Sequence, residues 1–475
     1  MRQLMIAGVT SGVGKTTLTL GIIQALKNRS LTVQPYKVGP DYIDTGFHSR
    51  ISGRQSINLD EFLVPEVETL QGLYQRSLVS SDIALVEGVM GLFDGKGSDA
   101  FACSSAGIAE LLDLPVILVI DGKATSTSAA AIVKGYAEFD PRIRIAGVIV
   151  NRVGSASHYE LIKSAIERYT NVKVIGYMLN NPNYAMPSRH LGLIPETERE
   201  GVVEMIEQLA EDLKETIDFD LLWALAQTVN LDNADILTSF TKKLAPYTQL
   251  GDYSDLTIGI AKDQAFSFYY QDNINLLEEL GVKLISFSPL KDAELPLADA
   301  LYFGGGFPEL FASQLEANSS MRQAVYRAHS QKFPILAECG GMMYLGEVFN
   351  DQEESYQMAG IIPGASYMTD RLRRFGYCSL KIESDCSLGQ IGDTLNGHEF
   401  HHSEFLSDLP TVGRMVKTRD GQITQEWPAG FQIGNTFASY LHIHFYQNPT
   451  IIKRWLDMIR KNKLNYSLPS EQKTK

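Results

Sequence analysis

The chain has 475 residues, of which 44% are hydrophobic and 21% are charged, as in a globular protein long enough for two or three domains. Its formal net charge is −14. Such a charge opposes binding to nucleic acid or to an anionic membrane surface, because like charges repel. We therefore expect small-molecule partners, with no nucleic acid and no membrane.

The start of the chain and its cysteines indicate where the protein is located and how its cysteines act. The first apolar run begins almost at Met1, which leaves no room for a signal peptide, and no apolar run approaches the length that spans a bilayer. The expected location is the cytoplasm. The chain has four cysteines, too few for a disulfide scaffold and without metal-like spacing: Cys103, Cys339, Cys378 and Cys386. We expect any functional cysteine to act as a thiol.

The N-terminal half alternates short apolar runs with helix-like stretches. The predicted strands cover residues 4–7, 32–36, 83–86, 116–120, 144–150 and 172–178. Runs that are apolar almost throughout indicate a parallel sheet covered on both faces, which is an α/β fold. Ligands of such sheets collect at the carboxyl ends of the strands.

A glycine-rich segment, residues 8–17, lies between the first strand and a helix-like stretch over 18–26. Its backbone N–H groups and the helix N-terminus favour phosphate, while Lys15 adds a positive charge and Thr16 a hydroxyl for Mg²⁺. The loop has Val9 where the strict P-loop pattern has glycine, so it is one residue longer and resembles the branch that includes dethiobiotin synthetase and the MinD/ParA ATPases. The predicted ATP contacts are Gly12, Gly14, Lys15, Thr16, Thr17 and Asn151, with Asn151 facing the adenine edge.

Acidic side chains follow neighbouring predicted strands, within segments 37–44 and 87–95. Mg²⁺ takes oxygen ligands and is often held by one or two carboxylates together with phosphates of the substrate. We therefore predict Thr16, Asp41 and Glu87 as Mg²⁺ ligands. Asp44 and Asp94 are then left to orient a substrate or to hold a proton.

The middle and the end of the chain suggest the domain limits. Residues 196–250 are acidic and helix-like without a strand signal, which predicts a helical connector. An ATP-binding domain is expected over 1–195 and a second α/β domain over 251–450. Residues 451–475 are expected to form a C-terminal helix and a polar tail.

The second α/β domain contains a pattern typical of a nucleophile elbow. Cys339 follows the apolar run 333–338 and precedes Gly340, with small residues around it. A helix N-terminus at this cysteine would stabilise its thiolate, and the N–H groups of Gly340 and Gly305 are predicted to bind a developing oxyanion.

A cysteine nucleophile needs a base, and two histidine clusters compete for that role. The candidates are His398, His401 and His402 in one cluster and His442 and His444 in the other. Spacing alone does not choose between them.

Together, segments 37–46, 87–95, 337–341, 397–401 and 440–442 resemble the cobyrinic acid a,c-diamide synthase family. The resemblance implies an ATP-dependent amide ligase fused to a class I glutamine amidotransferase domain of flavodoxin-like fold. It implies amidation of the a- and c-acetate groups of a corrin ring in cobalamin synthesis, through acyl phosphates. Cys339 then aligns with the glutaminase nucleophile and His442 with its base. The implied partners are glutamine, ATP, Mg²⁺ and corrin carboxylates, with a homodimer as one assembly of the chain.

The chain departs from most class I glutaminases in the third catalytic position. Those enzymes carry a glutamate two residues after the histidine, where this chain has His444. The family as a whole is known for lacking that acid. What orients His442 therefore stays open, with Glu404 or an ordered water as candidates.

A short basic segment suggests where a large polyanion could bind. Three arginines lie beside aromatic residues over 371–377. Guanidinium groups pair with carboxylates in two-pronged geometry, so Arg371 and Arg374 are predicted substrate contacts.

Two other functions fit the same motifs. One is a diamide synthase for a related tetrapyrrole, hydrogenobyrinate or nickel sirohydrochlorin. The other, from a different class, is a ParA/MinD-like switch ATPase with an inactive glutaminase-like binding module. Retention of Cys339 together with a histidine partner favours the enzymes, since a binding module has no use for a nucleophile.

Overall fold

A computed structural model of the protein describes residues 1–184, 186, 196–229, 233–351, 354–369 and 371–467. The predicted end of the first domain near 195 and the polar tail after 467 lie outside this description. The chain forms two compact units, one of residues 1–61 and 65–244 and the other of residues 62–64 and 245–475. No helix among the described residues is long and apolar enough to cross a membrane.

The first unit is built on one sheet with strand order β3-β2-β4-β1-β5-β6-β7, in which all of these neighbours are parallel. The strands are β1 (Arg2–Gly8), β2 (Val33–Val38), β3 (Ile57–Leu59), β4 (Ile83–Glu87), β5 (Val116–Asp121), β6 (Ile145–Val153), β7 (Lys173–Leu179) and β8 (Gln227–Thr228). The short β8 pairs antiparallel with β1. The predicted parallel sheet is confirmed, and the sequence reading missed β3 and β8.

Helices cover the sheet of the first unit. They are α1 (Lys15–Asn28), α2 (Tyr42–Ser52), α3 (Val67–Leu78), α4 (Ser105–Leu111), α5 (Ser128–Phe139), α6 (Ala156–Tyr169), α7 (Glu196–Thr216) and α8 (Phe219–Leu225), and α9 (Asn233–Thr248) begins in this unit. The glycine loop therefore leads directly from β1 into α1, and the strand ends predicted to hold ligands lie at the same edge of the sheet.

Helix α7 differs from the expected connector, because it packs into the core of the first unit. Its residues Ile206, Leu209 and Leu213 are buried in the same cluster as Leu20 of α1. Their spacing of three and four residues places them on one face of the helix. Gly21 permits this close approach, since an added Cβ would lie 2.7 Å from Leu213 Cδ1.

The second unit has a central sheet of order β11-β9-β12-β14-β24-β23, parallel except for β23. Its strands are β9 (Thr257–Ala261), β11 (Lys283–Phe287), β12 (Ala300–Phe303), β14 (Ile335–Glu338), β23 (Phe431–Ile433) and β24 (Thr436–Ser439). Helices are α10 (Gln271–Glu279), α11 (Ala312–Ala317), α12 (Ser319–Ser330), α13 (Gly340–Leu345) and α14 (Pro449–Ser467). The predicted second α/β domain is confirmed.

Smaller sheets extend this unit. A two-stranded sheet joins β10 (Phe266–Phe268) to β13 (Gly305–Gly306). A four-stranded sheet contains β15 (Gly346–Asn350), β16 (Ser355–Gln357), β17 (Ile362–Met368) and β20 (Ser403–Leu406). A five-stranded sheet contains β18 (Arg374–Ile382), β19 (Thr394–His401), β21 (Gly413–Arg419), β22 (Gln422–Ala429) and β25 (His442–Ile443). The five-stranded sheet carries three candidate histidines, with His398 and His401 on β19 and His442 on β25. His398 lies opposite His442 in the pairing of these two strands.

The C-terminal helix α14 belongs to the core of the second unit. Its Trp455 is fully buried, with ring centroids 5.9 Å from Tyr302 and 6.2 Å from Phe445. The described part of the expected C-terminal segment is therefore integral to the unit.

Candidate active sites

The glycine loop of the first unit depends on two glycines with left-handed backbone. Gly12 has φ 72° and Gly14 has φ 97°, a region that side chains disfavour. At Gly14 an added Cβ would also lie 2.2 Å from Asn151 Nδ2. Gly14 caps α1, so the helix N-terminus opens directly onto the loop, as a phosphate site requires.

Lys15 lies folded against the loop. Its Nζ donates a hydrogen bond to the carbonyl oxygen of Thr10 at 3.2 Å and another to that of Met90. Burial and the nearby Lys37 lower the pKa of Lys15 to about 8, against the opposing effect of Glu87 and other acids. A bound phosphate would favour the charged ammonium and draw it into the loop.

A buried cluster of charged groups lies next to the loop. Thr16 Oγ1 donates to Glu87 Oε1 at 2.7 Å and lies 3.4 Å from Asp44 Oδ2. Lys37 Nζ lies 2.7 Å from both carboxylates, and His48 Nε2 lies 2.7 Å from Glu87 Oε2. Burial alone would raise the pKa of Glu87, but Lys37 and His48 hold it below its usual value. The Glu87 carboxylate is therefore ionised at neutral pH.

Oxygen atoms in this cluster fit a hard cation. Thr16, Asp44 and Glu87 bring a hydroxyl and two carboxylates together, which is the donor set that Mg²⁺ accepts. Asp41, predicted as a ligand, instead caps α2, because its Oδ1 accepts the N–H groups of Ile43 and Asp44 at 2.8 and 2.9 Å. Among the described residues no cluster of three His, Cys, Asp or Glu could hold a metal by itself. Phosphate oxygens would complete the coordination.

Two of the predicted ligand contacts, Asn151 and Asp94, make hydrogen bonds within the protein. Asn151 is buried, donates through Nδ2 to the carbonyl of Val13 at 2.7 Å, and accepts through Oδ1 from the N–H of Arg152. It thus holds the glycine loop, and its contact with the adenine edge stays a prediction. Asp94 accepts the N–H of Gly91 at 2.8 Å and closes a turn.

The cysteine elbow of the second unit has the strained geometry of a nucleophile turn. Cys339 has φ 47° and ψ −107° and lies between the last residue of β14 and the first of α13. Such a backbone costs about 1–3 kcal/mol and persists at functional sites. Gly341 is required by its surroundings, since an added Cβ would lie 2.6 Å from the carbonyl oxygen of Phe303.

The thiol of Cys339 is held in its neutral form. Burial, followed by the charges of Glu309 and Glu399, raises its pKa well above the usual range. This differs from the thiolate expected at a helix N-terminus, because α13 has only six residues and the site is buried. A neutral thiol would need a base to take its proton before it could act as a nucleophile.

His442 is the histidine that lies against the glycine run at the elbow. An added Cβ at Gly305 would meet its Cε1 at 2.4 Å, and its ring stacks on His398 at 4.8 Å. Gly305 therefore packs against the His442 ring, while the N of Gly306 lies 3.2 Å from the position of an added Cβ on Gly340. Gly306 is therefore a further candidate donor beside the predicted Gly340 and Gly305.

The other candidates have different partners. His401 stacks on Tyr440 at 3.9 Å, and His444 Nε2 lies 3.8 Å from Asp272. Glu404, a candidate for orienting His442, pairs with Arg373 at 2.6 Å.

Two buried residues near these sites were missed in the sequence. Lys37 lies in the predominantly apolar β2 and Glu338 ends the otherwise apolar β14, and both are almost fully buried. A charged residue among apolar strand residues is a signal that the sequence offers, because a charge in a buried strand is rarely without a partner.

A basic cleft lies on the five-stranded sheet. Arg374 stacks its guanidinium 4.3 Å over the ring of Trp427, and Lys417 also lines the cleft. Arg371 is exposed. Of the two predicted substrate arginines, the structure places Arg374 in the cleft.

Comparison with known proteins assigns both units to described domains. Residues 4–194 match the CobQ/CobB/MinD/ParA nucleotide binding domain, and residues 257–450 match the CobB/CobQ-like glutamine amidotransferase domain. The fold and the two sites thus define a nucleotide-binding domain joined to a glutamine amidotransferase domain in one chain.

Curated relatives cover almost the whole chain. It is 51% identical over 461 residues to the cobyrinate a,c-diamide synthase of Streptococcus sanguinis (strain SK36), covering 97% of this chain and 100% of the relative. It is 47% identical over 461 residues to the synthase of the same name from Salmonella typhimurium (strain LT2), covering 96% and 98%. The chain belongs to the cobyrinate a,c-diamide synthase family, as the sequence motifs indicated.

Proposed function

We propose that this protein uses ATP and glutamine to amidate the a- and c-acetate carboxylates of cobyrinic acid in cobalamin biosynthesis. The main support is that one chain has both a phosphate loop with an acidic cluster and a cysteine elbow with a histidine. This chain is also about half identical to named synthases over nearly its full length. A phosphate loop does not by itself require a cysteine elbow, and a cysteine elbow does not by itself require a phosphate loop. Both are needed for an amide ligase that draws nitrogen from glutamine.

The glutaminase half begins with the neutral thiol of Cys339. His442 takes the thiol proton as the sulfur attacks the side-chain amide carbon of glutamine, and the N–H groups of Gly340 and Gly306 stabilise the oxyanion. His442 then returns the proton to the leaving nitrogen, and ammonia departs. Water, deprotonated by the same imidazole, hydrolyses the glutamyl thioester to glutamate and restores the thiol.

The ligase half activates a substrate carboxylate. A carboxylate oxygen attacks the γ-phosphorus of ATP, ADP leaves, and an acyl phosphate forms; ammonia then attacks the acyl carbon and phosphate leaves. Lys15 binds the transferring phosphoryl group and offsets its charge. Mg²⁺, held by Thr16, Asp44 and Glu87, would supply charge neutralisation on the phosphate oxygens when bound.

Activation explains why two sites are combined. A free carboxylate resists amine attack because its carbon is electron-rich and its leaving group would be oxide. An acyl phosphate removes both obstacles.

Substrate recognition is proposed to use the basic cleft. Arg374 and Lys417 offer cations for acetate side chains, and the indole of Trp427 offers a flat surface for a macrocycle. Local positive charge is necessary, since the protein as a whole repels polyanions. Arg371 is proposed as an outer contact for the same carboxylates.

We test this function by mass spectrometry after incubating the protein with ATP, glutamine and one tetrapyrrole at a time. The panel contains cobyrinic acid, hydrogenobyrinic acid and nickel sirohydrochlorin. Products with one and two amides on cobyrinic acid are expected. Preferred amidation of another ring would reassign the substrate, and ATP hydrolysis without amidation of any ring would favour the switch ATPase.

The cellular location and the assembly of the enzyme follow from its substrates and from the family resemblance. We propose a cytoplasmic location, where ATP and glutamine are both available. The homodimer stays a prediction, which light scattering of the purified protein tests.

A further inference from the structure

A buried carboxylate precedes the nucleophile directly. Glu338 is the last residue of β14, and only 1% of its surface is exposed. Its Oε1 accepts a hydrogen bond from the Tyr302 hydroxyl at 3.1 Å, and its Oε2 lies 3.8 Å from His442 Nδ1. Tyr302 is itself fully buried on the adjacent parallel strand β12. The carboxylate is thus fixed at one oxygen and directed at the imidazole with the other.

The proposed chemistry requires a group in this place. When His442 takes the thiol proton it becomes a cation with 2% of its surface exposed, and a buried charge without a partner is costly. A carboxylate on the Nδ1 side stabilises that cation. It also favours the tautomer with hydrogen on Nδ1, which leaves Nε2 as the base.

In most class I glutaminases this acid is a glutamate two residues after the histidine, but this chain has a different residue there. His444 occupies that position, and its Nε2 faces Asp272 at 3.8 Å, away from any role in holding His442. Its Nδ1 accepts the backbone N–H of Tyr446 at 3.3 Å.

We propose that Glu338 is the positioning residue that orients His442 and stabilises its cationic form. The inference rests on the proposed glutaminase activity. Glu338 acts through His442 and does not bind glutamine, so nucleophile and orienting acid are neighbours in the sequence. This order differs from the usual one, in which the acid follows the histidine.

Burial and the neighbouring groups act in opposite directions on Glu338. Burial raises the pKa of the Glu338 carboxyl, while the His442 ring, the Tyr302 hydroxyl and the N–H of Ile443 act in the opposite direction. The groups that favour the carboxylate are the same ones that would fix its geometry.

The test replaces the carboxylate with an amide of the same shape. In the full-length Glu338→Gln variant we expect kcat for glutamine hydrolysis to fall roughly 10²-fold or more, because the amide cannot hold the productive tautomer or balance the cation. The KM for glutamine should change by less than about threefold, since binding is not affected. Amidation with added ammonium chloride should match the unmodified protein. Glu338→Asp, which keeps the charge, should recover part of kcat.

Asp272→Asn is the matched control. It removes a carboxylate with the same 3.8 Å distance to a buried histidine and the same degree of burial. We expect its kcat for glutamine to stay within about threefold of the unmodified protein. If Glu338→Gln does not fold, Tyr302→Phe serves instead, with a severalfold loss of kcat at unchanged KM.

Two results would overturn the inference. One is an unchanged kcat in Glu338→Gln, or in Tyr302→Phe where that variant replaces it. The other is an equal loss of kcat in Asp272→Asn. Absence of glutamine hydrolysis by the unmodified protein would instead contradict the proposed function, so the two failures are distinguishable.

Discussion

The ammonium of Lys37 lies 2.7 Å from a carboxylate oxygen of Glu87, and both side chains are almost completely buried. A buried ion pair of this kind contributes little net stability when intact, because desolvation offsets the attraction. Removing one partner is different, since it leaves a buried charge without compensation. The pair therefore makes the first unit sensitive to single substitutions at the phosphate site.

We predict that Lys37→Met destabilises the first unit by about 3–5 kcal/mol. The free energy of unfolding, followed by urea denaturation, checks this. The control is Lys134→Met, which breaks the exposed pair with Glu138 on α5 and should cost at most about 1 kcal/mol. A loss in Lys37→Met no larger than in the control would contradict the assignment of a buried pair.

The same pair predicts how stability depends on pH. Folding lowers the pKa of Glu87, so its contribution is complete above the unfolded value of about 4.3 and is lost as pH falls through the folded pKa. Folding raises the pKa of Lys37, so its contribution is complete below about 10.4 and is lost only at higher pH. We expect a plateau in the unfolding free energy between these limits. In Glu87→Gln the fall on the acid side should shrink, and an unaltered acid slope would argue against an ionised Glu87.

Gly14→Ala should abolish nucleotide binding. An added Cβ would lie 2.2 Å from Asn151 Nδ2, and φ 97° is unfavourable for alanine. Gly46→Ala is the matched control, because Gly46 lies inside α2 with nothing within 4 Å of an added Cβ. Alanine there should stabilise the helix by up to about 1 kcal/mol. Calorimetric titration with ATP and Mg²⁺ compares the two, and equal affinities would refute the role of the loop.

Lys15→Ala should abolish amidation but leave part of the glutamine hydrolysis. Without its ammonium the phosphoryl group loses a compensating charge, so amidation should fail with either glutamine or ammonium chloride. Hydrolysis of glutamine, measured as glutamate release, should continue in part, because the cysteine elbow belongs to the other unit. Full amidation with ammonium chloride would show that Lys15 is dispensable.

The sequence was informative where local chemistry decides the structure. Apolar runs specify parallel strands because both faces of such a sheet are covered, and a cysteine among small residues specifies a tight turn such as that at Cys339. The choice between Asp41 and Asp44 was less accessible, since one turn of α2 separates a helix cap from the acidic cluster.

Glu338 was overlooked because the sequence does not show which acid lies beside the His442 ring. The acid that we considered there, Glu404, pairs with Arg373. The contact of Glu338 with His442 joins residues about a hundred positions apart, which only the fold brings together.

The central claim is that nitrogen released at Cys339 is consumed at the phosphate site of the first unit. Its most direct test is amide formation on cobyrinic acid by Cys339→Ala, measured with glutamine and separately with ammonium chloride, always with ATP. We predict no product with glutamine and a normal rate with ammonium chloride. Amidation with glutamine, or loss of amidation with both nitrogen sources in a correctly folded variant, would contradict the account.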